Sequence, residues 1–264
     1  PAGTLLAVHG ITAVHLAWQW LAQALPRWRI IAPDLRGRGR SRDLTAPFGL
    51  TAHAEDLATL LDSVGITTPL PVAGHSMGGF VASVLAWLHP DRVRNLLLVD
   101  GGIPVELPPG TQPEEALTAV LEPTQQRLRM KFDSQEAADN YWRLHPGLAS
   151  QWGPQMAAYA AYDIQGAAPH LRATTSYAAM AADSMDIQVG AALPQALAAL
   201  QHPAHFLRAE RGLQDEPTPL FTAEWVTQWT ARTPLLTAQD VADSNHFTIV
   251  MSAAGSARVA ALLS

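Results

Sequence analysis

The chain has 264 residues, a formal net charge of −6 at pH 7 and no cysteine. Disulfides, thiol nucleophiles and zinc–thiolate sites are thereby excluded, and the acidic balance gives no electrostatic reason to expect nucleic acid or an anionic membrane surface as a partner. With 48% apolar and 15% charged residues it is an ordinary globular chain, long enough for one large α/β domain or two small ones. No basic-then-apolar leader opens it and no apolar run reaches the ~20 residues a membrane helix needs, so it reads as a cytoplasmic protein without a membrane span.

In chain order, "TLLAVH" (Thr4–His9) is a short apolar run ended by Gly10, which predicts a buried strand. "RIIAPD" (Arg29–Asp34), "LPVAG" (Leu70–Gly74) and "RNLLLVD" (Arg94–Asp100) read the same way. In "AHAEDLATLLDSV", Ala54, Leu57, Ala58, Leu61 and Val64 fall at helical spacing, with Thr51 as the expected N-cap and Gly65 as the stop. Strands without strict alternation, separated by helices, predict a parallel sheet covered on both faces. From about Gly101 to Gly190 strand signals vanish, and helices are expected at Glu115–Leu121, Thr124–Met130, Ser134–Leu144 and roughly Pro154–Tyr162. Alternation resumes with "HFLRAE" (His205–Glu210), a helix near Thr222–Ala231, "PLLTA" (Pro234–Ala238) and a last helix near Ala253–Leu263. The expected organisation is one α/β core, residues 1–100 and 191–264, interrupted by a helical insert, 101–190.

"VAGHSMGGF" (Val72–Phe80) places a serine at the seam between an apolar strand and an apolar helix. A sharp strand-to-helix turn there presents one side chain at the carboxyl edge of the sheet. Bulky residues two positions either side would collide, which Gly74 and Gly78 relieve. The following helix aims its N–H groups at the same spot and favours negative charge there. Ser76 therefore reads as a nucleophile, against the plain alternative of a glycine-rich turn. A serine hydroxyl needs a base. His246, in "DSNHFTIV", lies after the last expected strand and before the last helix, at the same sheet edge. His75 is too near in sequence to turn back, and His9 more naturally braces the loop after its strand. In "VHGIT" (Val8–Thr12), the amide of Ile11 pairs with that of Met77 as donors to a developing oxyanion.

The order strand–"HG", "DLRGRGRS" (Asp34–Ser41), "GHSMGG", helical insert and late "NHF" resembles the α/β-hydrolase superfamily, serine-nucleophile esterase/lipase-like branch. The resemblance implies a mostly parallel sheet flanked by helices, a cap or lid formed by the insert, and the chain order serine, acid, histidine. One departure stands out: the family's amino-terminal strand pair is missing or shortened; after the "HFLRAE" strand, where members usually carry a glycine-x-x-aspartate, "AERGLQDEP" has Gly212 with Asp215 three residues later. Some members, thioesterase domains among them, carry the acid after the earlier strand, where Asp100 stands. Its strand-end position and the glycines that follow favour Asp100, with Asp215 as the alternative; Asp240 and Asp243 are poorly placed to back His246.

"DLRGRGRS" reads as a plain loop, and Trp142, Trp152, Met156, Tyr159, Tyr162, Met180 and Met185 either line an apolar pocket or form the insert's own core. No P-loop, HExxH or GxGxxG is present, so neither a metal nor another cofactor is expected. The expected function is hydrolysis of a small-molecule ester or thioester by Ser76, His246 and Asp100. The alternatives are a carbon–carbon bond hydrolase or cofactor-free perhydrolase on the same residues, or a ligand sensor that keeps the fold. The sequence leaves the oligomeric state open.

Overall fold

Six strands form one sheet in a computed structural model of the chain, which describes residues 1–106, 110, 122 and 124–263. The elements run β1 (Gly3–Val8), α1 (Gln19–Ala24), β2 (Trp28–Ile31), α2 (Leu50–Ser63), β3 (Leu70–His75), α3 (Met77–Leu88) and β4 (Val93–Val99). Then come α4 (Gln135–Arg143), α5 (Pro154–Tyr162), the two-residue strands β5 (Ile164–Gln165) and β6 (Arg172–Ala173), α6 (Tyr177–Val189) and α7 (Ala192–Ala198). The chain closes with β7 (Ala204–Arg211), α8 (Ala223–Arg232), β8 (Leu236–Asn245) and α9 (Ala253–Ala261).

The sheet order is β2-β1-β3-β4-β7-β8, and every neighbouring pair is parallel. The register sets Val8 beside Gly74, His75 beside Val99 and Val99 beside Leu207. The loops after β1, β3 and β4 therefore leave the sheet at one carboxyl edge. Among the described residues no strand precedes β1, and β2 is a half-exposed edge.

Side chains alternate across the pleat, so each strand feeds two cores. Leu6, Val8, Val72, Leu96, Leu98 and Phe206 pack under α2, α3, α7 and α8. Leu5, Ala7, Ala73, Leu97, Val99 and Leu207 pack on the other face, under α1 and α9 and against α4 and α5. These strand residues are essentially inaccessible, and each valine, leucine or phenylalanine among them contributes about 1.5–3 kcal/mol by leaving water.

Most expected elements form within a residue or two. Thr51 is a correction: α2 begins at Leu50, and its N-cap, Gly49, has φ 107° and no side-chain oxygen to offer. The caps come instead from α6, whose Asp183 and Asp186 carboxylates accept from Gly49 N and Leu50 N at 2.6 Å each. The last strand also runs further than expected, from Leu236 to Asn245. Among the described residues between β4 and β7, 124–129 are helical, α4 and α5 fall where helices are expected, and strand content is limited to the β5–β6 pair and the Phe132–Leu171 bridge. The helix expected at Glu115–Leu121 lies outside the described residues. Among the described residues no helix is long and apolar enough to cross a membrane.

Candidate active site

Ser76 caps α3 with φ 53° and ψ −125°, a strained conformation for a residue with a side chain. Neighbouring backbone enforces it. A Cβ on Gly74 would lie 2.1 Å from the Gly78 carbonyl oxygen, and one on Gly78 would lie 2.0 Å from that of Val8. A Cβ on Gly101 would stand 2.2 Å from the Ser76 carbonyl oxygen, so Gly101 makes room for the elbow itself, a different service from freeing Asp100.

Asp100 leaves β4 with φ 46° and is fully buried. Its Oδ1 accepts from Ala209 N at 3.0 Å, and its Oδ2 lies 2.7 Å from Nδ1 of His246. His246 follows β8 in a loop organised by Asn245. The Asn245 Oδ1 accepts from Phe247 N and Thr248 N at 2.9 Å, while its Nδ2 donates to Gly147 O and to Asp215 Oδ1. Asp215 thus supports the histidine loop from outside: its other partner is Arg211 Nε at 2.7 Å, and it does not reach the His246 ring. His75 donates from Nε2 to the His246 carbonyl at 2.7 Å; burial holds its pKa well below 6.5 and keeps it neutral. No hydrogen bond joins Ser76 Oγ to His246 Nε2 among the described residues; such contacts are commonly loose before substrate binds.

Gly10 brings the β1 loop against the elbow, where a Cβ would be 3.2 Å from Ser76 Cβ. The Gly10 carbonyl is held by His9 Nδ1 at 2.8 Å and by Ala13 N at 3.2 Å. His9 Nε2 accepts from Leu35 N, so its proton sits on Nδ1. Burial lowers its pKa to about 4 and keeps the ring neutral. Because the peptide is trans and planar, fixing the Gly10 oxygen fixes the opposite direction of the Ile11 N–H. The amides of Ile11 and Met77 have no acceptor among the described residues.

Around this centre, Asp34 accepts from His15 N, Arg40 N and the Tyr162 hydroxyl and lies 2.9 Å from His15 Nδ1; despite its burial, these bonds hold its carboxyl well below the usual range. Trp142, Met156, Tyr159 and Met180 are buried packing residues. Trp152 lies beneath Arg143, Tyr162 bonds Asp34, and Met185 is 51% exposed. Sequence reasoning missed two buried arginines, Arg38 and Arg127, that touch the Ile11–Thr12 turn. Nothing local marked them, since their ion-pair partners lie far along the chain. Among the described residues no three or more His, Cys, Asp or Glu side chains are grouped to hold a metal ion.

Comparison with known proteins adds the family. Lipase LipV of Mycobacterium tuberculosis is 41% identical over 117 residues, which are 44% of this chain and 43% of that protein. The chain spans less than half the length of the curated relatives it matches. Among solved structures, E-2-(acetamidomethylene)succinate hydrolase superposes with a TM-score of 0.78 at 23% identity, covering 97% of this chain and 90% of that one. A thioesterase domain from the curacin biosynthetic pathway gives 0.75 at 20% identity, with 99% and 91% covered. The family model described as alpha/beta hydrolase fold matches residues 3–152, more than half of the chain. The chain therefore belongs to the alpha/beta hydrolase fold family.

Proposed function

We propose that this chain is a serine hydrolase cleaving a carboxylic ester, or a thioester, of a small hydrophobic molecule through an acyl-enzyme. The observation that carries the reading is the 2.7 Å contact between a fully buried carboxylate, Asp100, and Nδ1 of His246, at the sheet edge that also carries the strained Ser76. A carboxylate there fixes the tautomer with hydrogen on Nδ1 and leaves Nε2 as base. Ser76 Oγ attacks the carbonyl carbon as Nε2 takes its proton. The oxyanion receives hydrogen bonds from the Ile11 and Met77 amides. Collapse breaks the bond to the leaving alcohol or thiol, which takes the proton from His246, and water then releases the acid by the same steps.

The ester preference draws on the relative named a lipase. The insert, residues 101–190, is read as a cap over this centre, because α5 and α6 supply Tyr162 to Asp34 and Asp183 and Asp186 to the start of α2. The test is covalent: an alkyl fluorophosphonate should add once per chain, at Ser76, with the adduct read by intact mass and peptide mapping. No adduct, or an adduct elsewhere, sinks the assignment.

A further inference from the structure

Three consecutive carbonyls of the β1 loop are each held by a different buried cation or imidazole. Gly10 O takes His9 Nδ1, Ile11 O takes Arg38 Nε at 2.8 Å, and Thr12 O takes Arg127 Nη2 at 3.0 Å. The two arginines come from opposite sides. Arg38 belongs to the core loop after β2; Arg127 belongs to the insert, in the helical stretch 124–129.

Each guanidinium is anchored at its far end on a carboxylate of the insert. Arg38 Nη1 sits 2.6 Å from Asp183 on α6, both side chains being wholly inaccessible. Arg127 Nη1 sits 2.7 Å from Asp163, just after α5, with side chains 6% and 0% exposed. Both carboxylates are tied down further. Asp183 also receives Gly49 N and contacts His53 Nε2 at 3.0 Å, while Asp163 accepts from Thr174, whose hydroxyl oxygen accepts from Gly39 N of the core. Arg127 also stacks 5.1 Å above Trp142.

Burying a guanidinium is costly, and a buried ion pair by itself is weak evidence of stabilisation. A rigid fork that spans a carboxylate and a backbone carbonyl does something a point charge does not: it fixes the distance between them. If the insert leaves its seat, Arg127 leaves with it and Arg38 loses its carboxylate. Thr12 O then has no side-chain donor, Arg38 is anchored only through Arg36 O, and the Ile11 amide rests on the Gly10 carbonyl's bonds to His9 Nδ1 and Ala13 N alone. Resting on the serine-hydrolase reading, we propose that Arg38 and Arg127 are positioning residues that set the Ile11 amide for the oxyanion, making the seating of the insert a condition of catalysis.

The test uses the full chain and the double variants Arg127→Met/Asp163→Asn and Arg38→Met/Asp183→Asn, which remove the buried charges in pairs, together with Arg127→Lys. Lysine keeps a cation beside Asp163 but cannot also reach Thr12 O. Measured are kcat and KM on p-nitrophenyl acetate, and the Ki of a trifluoromethyl ketone, whose serine adduct carries an oxyanion. Hydrogen exchange at Ala13, whose amide bonds to Gly10 O, is the third readout. A misplaced donor should lower kcat by ~10–100-fold while KM stays within ~3-fold. The ketone Ki should rise in step with the loss in kcat, Ala13 should exchange faster, and lysine should not rescue. Folded variants with kcat within ~3-fold of wild type, an unchanged ketone Ki, or rescue by lysine would overturn the proposal. If wild type neither turns over ester nor binds the ketone, the hydrolase reading fails separately. Exchange at Ala13 then decides the clamp: unchanged rates refute it and faster rates uphold it.

Discussion

Replacing Asp100 by asparagine should abolish the proposed ester hydrolysis without unfolding the chain, and the reason lies in how the carboxylate is held. Oδ1 accepts from Ala209 N at 3.0 Å, and Oδ2 faces His246 Nδ1 at 2.7 Å. In Asp100→Asn the amide oxygen must keep the Ala209 position, because an amide NH2 there would face a donor with a donor. The NH2 group is then turned toward His246, whose Nδ1 can only accept. The ring is driven into the tautomer with hydrogen on Nε2, the nitrogen that the proposed mechanism uses as base, and kcat on p-nitrophenyl esters at neutral pH should fall by about 10⁴-fold. The substitution is isosteric and keeps the Ala209 bond, so circular dichroism and the urea midpoint should change little. Asp215→Asn is the matched control. Its side chain is 40% exposed and bonds Arg211 and Asn245, so the change should cost at most ~1 kcal/mol and leave kcat within a few-fold. A folded Asp100→Asn enzyme retaining a tenth of wild-type kcat, or a greater loss in Asp215→Asn, would refute the tautomer argument.

Other consequences follow from packing, capping and titration. Gly78→Ala would set a Cβ 2.0 Å from the Val8 carbonyl oxygen; since backbone cannot step aside, the loss should exceed ~3 kcal/mol, read as a lowered urea midpoint. Asp186→Ala deprives Leu50 N of its acceptor at the start of α2, which should cost about 1 kcal/mol and lower Tm by ~2–4 °C. His9 is held neutral by burial, with a pKa of about 4 against 6.5 when exposed. A base depressed in this way takes up more protons in the unfolded chain. Its stabilisation is therefore present above pH ~6.5 and fades toward pH ~4, roughly 2 kcal/mol being gone by pH 5. In denaturation at pH 7 and pH 5, His9→Asn should lose that part of the pH dependence, and parallel profiles for variant and wild type would count against it.

Much of this site can be read from the chain because its parts are local. Short apolar runs that stop at Gly10, Gly74 and Gly101 mark where strands meet the sheet's carboxyl edge, and the glycines at ±2 mark the sharp strand-to-helix turn at Ser76. The strand-end position of Asp100 is what sets its carboxylate 2.7 Å from His246 Nδ1. What escaped reading depends on contacts distant in sequence. Thr51 looks like a cap for α2 by local rules, yet the acceptors arrive from Asp183 and Asp186, more than a hundred residues on. The second half of β8, "DVADSN", is polar because the strand lies at the sheet edge with Asp240, Ala242 and Asp243 exposed, so it resembles a loop. Helix α6 is rich in alanine and carries two structural aspartates in place of a clean apolar stripe, which hides its period. Arg38 sits in a glycine-rich segment that reads as a surface loop, although its side chain is wholly buried.

The most direct measurement is steady-state hydrolysis of short p-nitrophenyl esters by the wild-type chain and by Ser76→Ala side by side. Many turnovers per chain are expected for wild type, with a loss of at least ~10⁴-fold in a folded Ser76→Ala variant. An inactive wild type, or a folded variant that keeps a tenth of the activity, would contradict a nucleophilic Ser76.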